Sequence, residues 1–170
     1  MSFPAGTSTD PTPTRLVPAA VETILLSVED GMLGFRTRVA PLADGAHPDL
    51  LARHLAGLGN RLAGCLLHST SWRFQDRGIV LTYAVLPDPC PVGPAMPVDT
   101  DVLARSTDPL VPTPPEINPV DVAVHACRHL AFLRHTDPVV AAQAAEEPAL
   151  WSLVSRFSPA VAGLLATSHP

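Results

Sequence analysis

The segment from Leu66 to Pro87, LLHSTSWRFQDRGIVLTYAVLP, constrains the fold of this chain more than any other stretch. Its second half, Ile79 to Leu86, is almost wholly apolar or β-forming, and its first half is rich in serine, threonine and aromatic residues. Asp76-Arg77-Gly78 lies between the halves and predicts a three-residue loop with Gly78 in the left-handed conformation, so that Gln75 pairs with Ile79. We therefore predict an antiparallel β-hairpin.

Strict alternation along this hairpin predicts two faces of mixed character. Trp72 and Phe74 would share the face of His68, and we expect them to be core residues rather than a platform for a cofactor. The polar residues of the other face would be Ser69, Ser71 and Arg73. A shift of one residue in the pairing would exchange the two faces.

A second hairpin is predicted before this one. Val21 to Val28 and Met32 to Val39 both have the composition of strands, and the Asp30-Gly31 pair between them tolerates the positive φ angles of a tight turn. Arg36 and Arg38 would share one face of the returning strand, which is then partly solvated or faces an anion.

The cleanest helix pattern in the chain follows that hairpin. His47-Pro48-Asp49 is a typical helix start, because proline in the first turn loses no hydrogen bond. Leucines then recur at positions 51, 55, 58 and 62, which makes one apolar stripe and predicts a helix over residues 48–62. Gly57 and Gly59 weaken this helix by about 1 kcal/mol each relative to alanine.

Proline dominates residues 87–119, which hold ten of the twenty prolines of the chain. At that density we expect only an edge strand or a short helix near Asp99 to Ser106. The apolar residues of this segment favour an extended arm that lies over the domain rather than a plain linker. They are Val92, Met96, Val98, Val102, Leu103, Leu110 and Val111.

Helices are predicted for the rest of the chain, because a proline after a capping residue marks most of their starts. They cover residues 119–135, 138–145 and 150–154, with a final turn over 158–165. Residues 1–18 are rich in proline and threonine and are expected to be disordered, which leaves residues 19–166 as one domain that contains the arm 87–119.

These elements together predict an α+β fold. Two antiparallel β-hairpins form a roughly four-stranded sheet, one helix lies between them in the sequence, and the C-terminal helices pack against the sheet. A length of 170 residues with a hydrophobic share of 46% is enough for one domain with a real core.

The composition of the chain indicates where the protein resides and which classes of partner it is not expected to bind. All eleven basic residues are arginine, the net charge is −5, and no basic run occurs, which argues against a nucleic-acid partner. No apolar stretch reaches the roughly 20 residues of a membrane span, and the first 18 residues lack the basic and apolar regions of a secretory signal. The three cysteines, at positions 65, 90 and 127, are too few for a disulfide scaffold, so we expect a cytoplasmic protein.

Two histidines on the predicted helix 119–135 are the main candidates for metal chemistry. His125 and His129 are four residues apart, which places both imidazoles on one side of a helix. His68 would be the third ligand, Asp121 is the nearest carboxylate, and zinc would suit three nitrogens plus water. The alternative is that both helix histidines flank the core near the buried stripe of Cys127 and bond to neighbouring backbone.

A second candidate site would hold a small anion such as a phosphate or a carboxylate. Arg73 lies between aromatic residues and could converge there with Arg36 and Arg38, with Arg128 joining from the helix. The alternative is that the strand arginines are edge charges that discourage aggregation. The predicted ligand-binding residues are His68, Ser69, Ser71, Arg73 and Arg128.

Several common sites are absent from the sequence. No GxGxxG, phosphate-binding loop, EF-hand or CxxC motif occurs, no GxSxG turn supports a serine nucleophile, and residues 48–62 lack the glutamates of a Nudix helix. The segments HSTSWR (68–73) and HACRHL (125–130) resemble those of uncharacterised proteins of GC-rich bacteria, over about residues 20 to 165. That resemblance implies no activity.

Because no spacing supplies a complete catalytic set, the sequence favours a non-enzymatic cytosolic protein that binds a protein partner or a small anionic ligand. A homodimer is among the expected partnerships, and nucleic acid and membranes are not. A metal-dependent hydrolase that uses His125 and His129 is the alternative. A self-complementary strand edge or an exposed apolar patch would favour partner binding, whereas a pocket with converging titratable groups would favour an enzyme.

Overall fold

The order of strands and helices along the chain is close to the predicted one. This computed structural model describes residues 17–59, 64–108, 110–111 and 113–161. The strands are β1 (Ala19–Glu29), β2 (Met32–Leu42), β3 (Leu66–Gln75), β4 (Gly78–Leu86) and β5 (Met96–Pro97). The helices are α1 (Pro48–Ala56), α2 (Pro119–Thr136), α3 (Pro138–Glu146) and α4 (Pro148–Val154). The α+β class is confirmed. Of the earlier predictions, the tail before residue 17 and the end of the domain after residue 161 lie outside the described residues.

The first hairpin is formed by β1 and β2 as the Asp-Gly signal predicts. Asp30 and Gly31 have φ angles of 51° and 77°, which is the geometry of a tight two-residue turn. From this turn the strands pair antiparallel over their whole length, from Glu29 opposite Met32 to Ala19 opposite Leu42.

The sheet has five strands in the order β3-β4-β1-β2-β5, one more than predicted. β1 and β4 run parallel, with Glu22 opposite Thr82, so the two hairpins join into a mixed sheet. β5 adds two residues from the proline-rich arm beside β2. This contact depends on Gly34, because a Cβ at that position would lie 2.8 Å from the Cβ of Ala95.

The turn of the second hairpin differs from the prediction. Asp76 and Arg77 form a two-residue turn with φ angles of 51° and 64°, and Gln75 pairs with Gly78. The predicted three-residue loop with a left-handed Gly78 is therefore wrong. Aspartate and arginine adopt the positive φ angles themselves, and Gly78 instead allows the carbonyl oxygen of Pro18 to approach within 2.7 Å of where a Cβ would be.

A β-bulge in β3 changes which side chains share a face. Ser69 lies opposite Tyr83 and Ser71 lies opposite Thr82, so Thr70 is an extra residue in this strand. From Ser71 onward every side chain points to the face opposite to the one that strict alternation gives. The predicted faces for this half of the strand are therefore wrong.

Trp72 and Phe74 are consequently not core residues. Their side chains lie on the face of the sheet that α1 covers, beyond the reach of the core, and are 69% and 59% exposed. The tryptophan of the core is Trp151 in α4, which is 1% exposed.

One face of the sheet packs against α1, which is shorter than predicted. The helix ends at Ala56 because Gly57 adopts a φ of 73° and its N–H bonds back to the helix, and Leu62 lies outside the described residues. Two side chains of the sheet fasten its ends: the Tyr83 hydroxyl donates to the Asp49 carboxylate, and Arg38 donates to the Leu55 carbonyl at 2.7 Å.

The other face of the sheet packs against α2 and α4, and α3 packs against these two helices, so that this layer contains the larger core. Asn118 precedes α2, where its N–H donates to the Asp121 carboxylate at 2.9 Å. The core unites the sheet with all three helices through Ile24, Phe35, Leu86, Leu130, Val140 and Trp151. Residues 158–161 are not helical, and the rest of the predicted final turn lies outside the described residues.

The proline-rich arm covers the domain only in part. Val98 is buried against β2 and Leu103 packs on the larger core, whereas Val92 and Val102 are exposed. Of the two elements expected for this arm, an edge strand is observed as β5 at Met96–Pro97, whereas residues 99–106 form no helix. Among the helices of the described residues, none combines the length and the apolar character that a membrane span requires.

Candidate functional site

Two of the predicted site residues from different elements, His68 of β3 and His129 of α2, are in direct contact. Their Nε2 atoms are 3.3 Å apart, and the rings stack with centroids 5.3 Å apart at an interplanar angle of 27°. His68 reaches this position because it lies opposite Ala84, on the face that the C-terminal helices cover. The contact links residues 61 positions apart, so the tertiary fold and not local sequence creates it.

Burial sets the protonation of this pair. It lowers the pKa of His68, against the opposing influence of the Asp137 carboxylate, and it lowers the pKa of His129, with a further contribution from the neighbouring His68 and His125. Both rings are therefore predominantly neutral at pH 7, and their unprotonated nitrogens are available as hydrogen-bond acceptors or as ligands.

His125 lies one turn before His129 and is more deeply buried. Its pKa is lowered by burial and by the charge of Arg128. Across the described part of the chain, no group of three or more His, Cys, Asp or Glu residues is arranged to hold a metal ion. The structure thus brings together two of the three predicted metal ligands, and the three-histidine site stays a prediction.

Three buried nitrogen atoms of this α2 turn have no hydrogen-bond partner among the described residues: His125 Nε2, His129 Nδ1 and Arg128 Nε. Buried polar atoms in proteins are nearly always paired with protein groups, ordered water or a ligand. The turn is therefore a polar region within an otherwise apolar helix layer. Ligand binding by Arg128 remains a prediction.

Arg73 is engaged in an internal ion pair. Its guanidinium donates two hydrogen bonds to the Glu22 carboxylate, at 2.6 Å and 3.2 Å, and one to the Thr82 hydroxyl at 3.2 Å. The Thr82 hydroxyl donates in turn to Glu22 at 3.1 Å. The bulge places Arg73 on the same face as His68, but its charge already balances a buried carboxylate there.

The other two arginines of the predicted anion site lie on the opposite face. Arg36 donates to the Asp88 carboxylate at 3.2 Å and to the Gly93 carbonyl at 3.0 Å, and it also bonds Glu29. Arg38 donates to the backbone of α1. These guanidinium groups fasten the start of the arm and the end of α1 to β2, and they do not converge with Arg73.

The remaining predicted residues are separated by the bulge. Ser69 is exposed on the α1 face, whereas Ser71 is half-buried on the face of His68. Asp121 serves the backbone: one oxygen accepts the N–H of Asn118 and the other accepts the N–H of Ala104 in the arm, at 3.0 Å. This carboxylate caps α2 and ties the arm to it.

The feature that sequence reasoning missed is the exposed aromatic pair on the sheet edge. Trp72 and Phe74 project from β3, which ends the sheet on one side. The position of Arg73 between Trp72 and Phe74 was a signal for an edge strand, since central strands of a mixed sheet rarely carry a charged residue. A groove of about 360 Å³ between β2, the arm and α4 contains none of the predicted site residues.

Comparison with known proteins leaves the fold and the geometry as the basis for function. Neither protein-family models, nor curated proteins, nor solved structures gave a match to this chain.

Proposed function

We propose that the protein is a non-enzymatic cytosolic binding protein whose contact surface is the open edge of β3, and that the partner on this edge is a second copy of the chain. The single observation that carries the proposal is a solvent-facing edge strand with two exposed aromatic side chains. Exposed apolar groups on a sheet edge are typical of strand-to-strand association.

The backbone groups needed for such pairing point outward at the same two residues. The pair that flanks a two-residue hairpin turn exchanges both of its backbone hydrogen bonds, and the pairs then alternate along the ladder. Gln75 opposite Gly78 is the flanking pair, so Arg73 and Ser71 also bond to β4. The N–H and C=O groups of Trp72 and Phe74 therefore face the open edge.

The edge is self-complementary about Arg73. In an antiparallel strand pair with a two-fold axis at this residue, Trp72 of each copy lies opposite Phe74 of the other copy. These are the residues with outward backbone groups, so each pair would exchange two backbone hydrogen bonds. Aromatic cross-strand pairs add about 0.5–1.5 kcal/mol each beyond area burial.

The charge at the centre of this arrangement does not oppose it. Arg73 would lie opposite its own copy, and two unpaired guanidinium groups would repel each other. Each one is already paired with Glu22 of its own chain, at 2.6 Å. The internal ion pair therefore makes the two-fold arrangement electrostatically acceptable.

The other functions that the sequence suggested have less support from the geometry. Arg73, Arg36 and Arg38 all donate hydrogen bonds to groups of the chain itself, so a small anion would have to displace those groups in order to bind. A hydrolytic metal centre needs three protein ligands and an open position, and the described residues bring two ligands together. Three free cysteines, Cys65, Cys90 and Cys127, are in keeping with a reducing compartment.

Sedimentation equilibrium of the wild type and three variants tests the proposal. We expect the wild type to be a dimer and Trp72→Ser to be a monomer. Phe74→Pro removes an outward N–H without removing a bond to β4, so it should also abolish the dimer. Val139→Ser in α3, a residue that is 70% exposed, is the control and should remain dimeric.

A monomeric wild type at concentrations of hundreds of micromolar would refute a second copy as the partner. Dimers that persist in both β3 variants would place the interface elsewhere. Capture of a different protein by the wild type but not by Trp72→Ser, with the wild type monomeric, would replace the second copy with a foreign strand.

A further inference from the structure

We propose that His68 and His129 form a two-histidine site for a borderline divalent cation, with Zn²⁺ as the reference ion and with His125 outside the site. The inference is independent of the β3 interface. It starts from one distance, the 3.3 Å between the Nε2 atoms of the two rings.

That distance fits two ligands of one tetrahedral zinc ion. With Zn–N bonds of about 2.0–2.1 Å and a tetrahedral angle, two nitrogen ligands are separated by about 3.3–3.4 Å. The same separation also suits a hydrogen bond between two neutral imidazoles, in which one Nε2 carries the proton. For a cation to bind both Nε2 atoms, the ring that carries the Nε2 proton must carry it on Nδ1 instead, so that both rings stay neutral and both Nε2 lone pairs are free.

The two ligands come from different elements that the core holds in place. His68 lies in the β3–β4 ladder, opposite the fully buried Ala84, and His129 is followed in α2 by Leu130, which is also fully buried. The positions of both Cα atoms are therefore determined before any ion binds. A site of this kind loses little conformational entropy on binding, which favours affinity.

The overall charge of the protein does not oppose a cation at this site. The chain carries a net charge of −5.

His125 separates this proposal from the three-histidine site that the sequence suggests. The described residues hold no three-ligand group, so the chain supplies two nitrogens and water fills the remaining positions. The same helix thus contains both a proposed ligand and a matched control.

A competitive titration with Zn²⁺ and a chromophoric chelator tests the site in the full chain. His68→Gln and His129→Gln should each weaken binding by about tenfold or more, because one nitrogen alone is a poor site. His125→Gln, which changes a histidine of the same helix, should bind as the wild type does. Equal affinity for the wild type and His129→Gln would overturn the proposal, and a loss in His125→Gln as large as in His129→Gln would restore the three-histidine site.

A second measurement avoids substitution altogether. In wild-type protein with ¹⁵N-labelled histidine, Zn²⁺ should shift the Nε2 resonances of His68 and His129 together and leave those of His125 in place. Resonances of the first two rings that do not move at saturating zinc would refute the site even if the variants failed to fold. Co²⁺ should give visible absorption bands whose intensity indicates tetrahedral coordination.

Discussion

Replacing Arg73 by methionine should destabilise the protein by about 3 kcal/mol, because it leaves the Glu22 carboxylate buried without its counter-ion. The Glu22 side chain is 7% exposed and that of Arg73 is 15% exposed, and two direct hydrogen bonds join them. Breaking a buried ion pair on one side costs about 3–5 kcal/mol, and the partial exposure of Arg73 places this pair at the lower end. That is a large fraction of the roughly 5–15 kcal/mol that stabilises a domain.

Removal of both charges should cost much less. The free energy of unfolding of Glu22→Leu/Arg73→Met should lie within about 1 kcal/mol of the wild-type value. Replacing a buried ion pair by apolar residues often changes stability very little. Urea unfolding followed by far-UV circular dichroism gives the free energies, and an unchanged m-value shows that the unfolded states are comparable. Arg105→Met, on the exposed arm, is the control and should have little effect.

Two results would refute this reasoning. A loss below about 1 kcal/mol in Arg73→Met would mean that water reaches Glu22, and that the guanidinium is free to bind an external anion. Strict additivity of the two single substitutions in the double variant would mean that the charges do not interact.

Three further outcomes follow from burial. Trp151→Ala should lower the free energy of unfolding by about 3–5 kcal/mol, and Trp72→Ala in dilute monomeric protein by less than about 1 kcal/mol, a ranking that urea melts check directly. Cys90 is exposed, whereas burial raises the pKa of Cys127 to about 12, so a thiol reagent at pH 8 should label Cys90 quickly and Cys127 only on unfolding. Burial lowers the pKa of His125 below its ordinary 6.5, so the unfolded chain binds more protons, and the stability present above pH 6.5 should fall as the pH drops below that value. Melts of His125→Gln over the same range should show a smaller fall, and an identical pH profile would contradict that assignment.

The elements that the sequence predicted correctly are those with strong local signals. The Asp30-Gly31 turn and the proline at the start of α1, α2 and α3 need only neighbouring residues, and all of them are observed. The fourth helix begins at Pro148, two residues before the predicted start. The arrangement in layers, with α1 on one face of the sheet and the C-terminal helices on the other, was also predictable. An amphipathic helix and a strand pair have few ways to bury their apolar faces.

What the sequence did not predict depends on long-range contacts. The parallel junction of β1 with β4 has no local signature, and the sequence of the arm does not show that its edge strand pairs with β2 at Gly34 and Phe35. The bulge at Thr70 is a single unpaired residue, and without it the alternation assigns Trp72 to the core. Helix spacing predicted only that His125 and His129 share a side of α2, and His68 was named as a third ligand from the hairpin. The contact of His68 with His129 comes from the packing of α2 on the sheet.

The position of Thr70 also bears on how a chain of this kind can vary by insertion and deletion. Loss of that one codon would restore strict alternation in β3 and would exchange the directions of all side chains from Ser71 to Gln75 relative to those of Leu66 to Ser69. The aromatic pair would then turn inward and Arg73 would turn out to solvent, away from Glu22. The surface proposed for association and the internal ion pair therefore both depend on this one extra residue, and a deletion at Thr70 would change both.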